Sequence, residues 1–100
     1  MIERHITFSV PADRASEFER FIIERYAPAM AAAPGNAGVW LVREADDPTR
    51  YQVAFRFQDG ETAVGWRTSP VHEALQPDLK ALATTVEVKG YELVAGEPRD

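Results

Sequence analysis

One hundred residues carry 11 Lys and Arg against 16 Asp and Glu, a formal charge of −5, with 45% hydrophobic residues and no cysteine. A chain this short buries one core and leaves nothing for a second domain, and without cysteine it has no disulfide, thiol nucleophile, thiolate zinc site or Fe–S ligation. The basic residues stand singly from Arg4 to Arg99, the wrong distribution for tracking phosphates, so nucleic acid is excluded as a partner.

In chain order, Ile2, Ile6, Phe8 and Val10 alternate with His5, Thr7 and Ser9, the period of a strand with one apolar face, and Pro11 ends it. From Asp13, a candidate N-cap, apolar positions recur at Ala15, Phe18, Phe21, Ile22, Tyr26, Ala29 and Met30, the stripe of a long amphipathic helix. Pro28 should kink or loosen its last turns, and Pro34-Gly35 stops it. Two strands follow, Gly38–Ala45 and Arg50–Gln58, joined by the turn residues Asp46-Asp47-Pro48-Thr49. Asp59 caps a second helical region through Trp66, and Ser69-Pro70 restarts it as N-cap and first-turn proline. The stripe Val71, Leu75, Leu79 and Leu82 crosses an interruption expected at Pro77, and Thr84–Val94 reads as the last strand, with a bulge expected at Gly90 where the apolar parity changes.

The order β-α-β-β-α-β predicts an α+β, ferredoxin-like fold, a four-stranded antiparallel sheet with helices on one face. Residues 1–95 form one domain on this reading, and residues 96–100 a flexible tail. Both middle strands look apolar at both parities, Trp40 and Val42 on one side against Val39 and Leu41 on the other, so both faces of the sheet need cover. A second copy of the chain is the simplest cover for the face without helices. No apolar run approaches the ~18–20 residues of a membrane span, and the N-terminus lacks the build of a signal peptide, so the expectation is a cytoplasmic protein with no membrane partner.

Across roughly Ile2 to Val94 the sequence resembles the antibiotic biosynthesis monooxygenase domain of the dimeric α+β barrel group. The resemblance is carried by Pro34-Gly35, by Asp47-Pro48-x-x-Tyr51 within Leu41–Phe57, and above all by Phe57-x-Asp59, Trp66-x-x-Ser69-Pro70-x-His72 and Leu75. It implies a homodimer with a ligand cavity between sheet and helices in each subunit, and a monooxygenase that uses no metal or flavin cofactor. The substrate would be an electron-rich phenolic or polyketide-like aromatic that reduces O₂ directly once a base has taken its proton. A non-oxidative member of the same fold, whether ligand-binding module, cyclase or isomerase, is the first alternative, and a purely structural dimer the second. In haem-degrading relatives an Asn on the first strand, a Trp and an axial His make the site; here the first strand has His5 and Thr7 but no Asn, Phe57 stands at the Trp position and Gln76 at the His position.

His72, third in a helix opened by Ser69-Pro70, is the candidate proton acceptor, because a helix N-terminus disfavours the imidazolium; a capped surface histidine is the plainer reading. Trp66 is the candidate catalytic partner, its indole able to orient a phenolic oxygen. Trp40, Tyr51 and Phe55 are candidate walls for a flat ligand, and equally candidate core. Arg56 meets either a ligand anion or a carboxylate, Glu87 and Glu44 being the candidate mates, and His5 either lines the cavity or faces the dimer interface. No HExxH, GxGxxG, GxSxG or P-loop spacing occurs, so metal hydrolysis, dinucleotide binding, nucleophile-elbow chemistry and NTP use have no local support.

Overall fold

A computed structural model describes residues 1–97 of the chain. Strand β1 (Ile2–Ser9) leads through a 3₁₀ turn at Ala12–Arg14 into a helical segment made of α1 (Ala15–Phe21), a π-helical stretch (Ile22–Tyr26) and α2 (Ala27–Ala31). The hairpin β2 (Asn36–Arg43) and β3 (Arg50–Phe57) follows, then α3 (Gly60–Arg67), α4 (Pro70–Leu82) and β4 (Thr84–Glu92). All pairings are antiparallel in the order β2-β3-β1-β4, with the helices packed on one face. This is the expected ferredoxin-like α+β fold. The expected loose tail falls largely beyond residue 97, outside the described residues.

Where local structure departs from expectation, the cause is local. Asp13 does not cap the first helix: it lies in the 3₁₀ turn, and Arg14 precedes the helix with no side-chain cap. Pro28 does loosen the first helix as expected: it offers no N–H to the carbonyl of Glu24, and wider π-helical turns lie immediately before it. Pro77 does not interrupt α4, which runs unbroken for 13 residues. The carbonyl that loses its partner belongs to Glu73, which is exposed like Pro77 and can be met by water, while Leu75 and Leu79 hold the helix on the core.

Strand β3 alternates strictly. Tyr51, Val53, Phe55 and Phe57 are buried toward the helices, and Arg50, Gln52, Ala54 and Arg56 face the other way. The expectation that β3 is apolar on both faces is therefore corrected, because only the small Ala54 of its apolar run points outward. Strand β2 does carry apolar residues on both sides: Val39 and Leu41 pack on the core, while Trp40 and Val42 are 46% and 49% exposed. The bulge lies at Val86, not Gly90: Thr7 opposes Glu87 and Phe8 opposes Thr85, leaving Val86 unpaired. Gly90 pairs regularly with Arg4.

One contiguous cluster fills the space between sheet and helices, with Phe8, Phe18, Ile22, Tyr26, Met30, Tyr51, Val53 and Phe57 almost fully buried. No helix among the described residues is long and apolar enough to cross a membrane.

Candidate functional site

A cavity of about 200 Å³ opens at one end of this core, between β1, β3, β4 and the helices. Its floor is Ile6, Phe8 and Phe55 on the sheet, its walls include Tyr26 and Trp66, and His72 and Gln76 on α4 bring polar groups to it. Two capping motifs set this geometry. Asp59 accepts from the backbone N–H of Thr62 at 2.8 Å in a capping box that opens α3, which places Ala63 and Trp66 on the buried side. The chain then breaks, with Ser69 Oγ donating to the Trp66 carbonyl at 2.8 Å and accepting from the His72 N–H at 3.1 Å. Trp66 and His72 are thereby locked together, their rings edge-on with centroids 5.3 Å apart.

The expected N-cap for α4 is present, and so is the expected tendency of His72 to stay neutral, but the cause differs. Burial is the larger reason its pKa falls below the ordinary 6.5, and the Arg67 guanidinium is the second. Gln76 Nε2 lies 3.2 Å from His72 Nε2. With the Gln76 amide donating, a neutral His72 accepts at Nε2 and carries its hydrogen on Nδ1. Tyr26, 1% exposed, has its hydroxyl pushed up to about 12 by burial, opposed by the Trp66 indole N–H. The cavity therefore joins an acceptor biased neutral to a phenol that stays protonated.

Of the residues singled out in the sequence, His72, Trp66 and Phe55 meet at this cavity. Tyr51 is buried away from it, donating to Glu19 Oε2 at 2.5 Å. Trp40, Arg56 and His5 lie on the opposite face of the sheet and do not line it. There Glu3 is the hub: its carboxylate receives Arg56 Nε at 2.6 Å and lies 2.6 Å from His5 Nε2. The mate of Arg56 is thus Glu3, directly opposite in register, and neither Glu87 nor Glu44. The guanidinium also covers the Trp40 ring at 5.3 Å, and His5 tilts against Tyr91 at 4.8 Å. Sequence reasoning missed Arg4, Tyr26 and Gln76 as cavity residues. Arg4 carried a signal, since it occupies the apolar parity of β1 between Ile2 and Ile6.

A larger groove of about 490 Å³ lies on the outer side of Trp66, lined by Ala29, Ala32, Ala33, Pro34 and Val71. It shares Trp66 with the inner cavity and adds Glu61, Thr62 and Ser69 but no histidine, whereas the inner cavity joins Tyr26, Phe55 and Trp66 to His72. Chemistry favours the smaller space. Among the described residues no three His, Cys, Asp or Glu side chains converge as metal ligands.

The family model described as antibiotic biosynthesis monooxygenase matches residues 1–78. The chain belongs to that family. No curated protein matches the sequence. Among solved structures, SnoaB from Streptomyces nogalater, a cofactor-independent oxygenase, superposes with a TM-score of 0.84 at 23% identity, over 98% of this chain and 97% of its own. A Deinococcus radiodurans protein described as a candidate antibiotic biosynthesis monooxygenase gives a TM-score of 0.83 at 20% identity, over 100% and 97%. A Bacteroides thetaiotaomicron protein of unknown function gives 0.79 at 9% identity, over 90% and 94%. At these identities the superpositions speak for the fold of an antibiotic biosynthesis monooxygenase, and the site rests on the residues themselves.

Proposed function

We propose that this antibiotic biosynthesis monooxygenase domain oxidises a small electron-rich aromatic with O₂ and no bound cofactor, using His72 as base in the cavity walled by Tyr26, Phe55 and Trp66. The observation that carries this reading is the neutral-biased His72 held edge-on to Trp66 at an otherwise largely apolar cavity. The substrate gives a proton to His72, and the phenolate or carbanion left behind transfers an electron to O₂. Recombination of the resulting radical pair forms a C–O bond, and the peroxide then loses water. One oxygen atom ends in the quinone and the other in water, so the four electrons taken by O₂ all come from the substrate. The protein's share is a proton acceptor, fixed orientation and exclusion of bulk water. A volume of about 200 Å³ favours one or two fused rings, being below the ~300 Å³ of a pocket for a drug-sized ligand.

The working unit on this reading is a homodimer that covers the outer sheet face, where Trp40, Val42 and Tyr91 are 46%, 49% and 47% exposed.

Oxygen uptake tests the activity. Hydroquinones, dihydroxynaphthalenes and anthrone are supplied to the wild type, His72→Ala and Trp66→Phe. Consumption above the protein-free rate is expected, fastest with two-ring substrates. His72→Ala should lower kcat by roughly 10²–10⁴-fold, and Trp66→Phe should chiefly raise KM. No uptake above the protein-free rate across the panel overturns the proposal.

A further inference from the structure

The helix-facing row of β1 reads Ile2, Arg4, Ile6, Phe8, so a guanidinium stands in an otherwise apolar row. Its register partners are Phe55 on one side and Gly90 on the other. A Cβ added at Gly90 would meet nothing within 4 Å, so the space beside Arg4 is open. The Arg4 side chain is half-buried and lines the cavity of Trp66 and His72. Arg14 pairs with Glu17, Arg25 with Asp78, Arg43 with Glu19 and Arg56 with Glu3, while Arg20 and Arg50, which form no ion pair among the described residues, lie outside this cavity. Among the described residues Arg4 forms no ion pair, and neither does Arg67, the second cation at this cavity. The cavity lining holds two arginines and no carboxylate, in a chain whose net charge is −5.

A half-buried guanidinium is costly without a partner, and its planar fork is matched by a carboxylate taken bidentately. We propose that the cavity selects aromatic substrates bearing a carboxylate, with Arg4 as the specificity-determining residue that receives it. The rings then lie against Phe55, Tyr26 and Trp66, and Arg67, exposed at the mouth, draws the anion in. The inference rests on the cavity being the substrate site, as argued above, and it narrows the substrate class to one- or two-ring aromatic acids.

The test compares binding of 2-naphthoate with that of its neutral, near-isosteric amide, 2-naphthamide, by calorimetry near pH 7.5 in the wild type, Arg4→Gln and Arg4→Lys. The wild type is expected to prefer naphthoate by about tenfold or more, the scale of a charge-assisted hydrogen-bonded pair. Arg4→Gln should abolish that preference by weakening naphthoate far more than naphthamide, and Arg4→Lys should retain part of it. Equal affinities in the wild type, a preference that survives Arg4→Gln in folded protein, or failure of both probes to bind each overturn the inference. If Arg4→Gln does not fold, an undiminished preference in Arg4→Lys together with no weakening by salt overturns it. Failure here is separable from failure of the oxygenase reading. Uncharged phenols that consume O₂ while naphthoate shows no preference leave the oxygenase standing alone, and an Arg4-dependent preference with no O₂ uptake leaves only the acid pocket.

Discussion

His72 is the residue on which proton transfer depends, and two separable causes set its behaviour. Burial and the nearby Arg67 charge both lower its pKa from the ordinary 6.5, so the base-competent neutral form persists below that pH. The acid limb of kcat/KM is accordingly expected below pH 6.5. Arg67→Gln removes one cause and should move the limb upward, short of 6.5 because burial remains. NMR titration of the His72 ring in both proteins checks this; a wild-type value above 6.5, or a downward shift in Arg67→Gln, contradicts it. Linkage gives the stability sign: an unfolded chain binds this proton more readily, so the fold loses stability as pH falls through 6.5. The cap that places His72 was legible, because Ser-Pro at a helix start has a local mechanism. Arg4 and Tyr26 were not recognised, because membership of a cavity is decided by residues from three strands and two helical regions at once. Trp40, Arg56 and His5 could be set among strands by alternation, but which face bears the cavity depends on where the helices cross.

Elements followed local chemistry where that chemistry was self-sufficient. The capping box at Asp59 and the proline at the start of α4 needed no tertiary help, and both are present. Proline inside a helix was the less decisive signal: Pro77 is absorbed because the carbonyl it orphans belongs to the exposed Glu73 and Leu75 and Leu79 anchor the turns around it. The bulge could not be placed from Gly90, since a glycine permits irregularity without requiring it, and pairing with β1 decided the matter. Gly35 is different. Its φ of +80° lies in the left-handed region, and an added Cβ would stand 2.6 Å from Thr62 on the first turn of α3. Gly35→Ala should therefore cost at least about 1–2 kcal/mol, the left-handed penalty alone, lowering Tm by roughly 4–16 °C for a domain of this size. Thermal unfolding of the two proteins decides it, and an unchanged Tm would show that the junction between α2 and β2 can relax freely.

At the scale of the whole molecule the sheet separates two surfaces with different tasks. The helix-facing surface holds the cavity, and the outer one carries the Glu3 network flanked by Trp40, Val42 and Tyr91. Its middle is more polar than the apolar runs of the sequence suggested, so the proposed partner subunit would meet paired charges at the centre and aromatic rings toward the edges. A sizing experiment on the wild type should give twice 11.2 kDa, and Trp40→Glu should give 11.2 kDa with naphthoate binding retained. A wild-type monomer refutes the dimer without touching the cavity. The two tryptophans divide the surfaces between them, Trp66 at the cavity and Trp40 on the outer face. Their two indole N–H resonances, followed by NMR as an aromatic guest such as 2-naphthoate is added, therefore test most directly where the substrate sits. The Trp66 signal and the His72 ring should shift in step with saturation while the Trp40 signal holds still; a guest that moves Trp40 and leaves Trp66 in place, or that moves Trp66 and leaves His72 in place, contradicts the site.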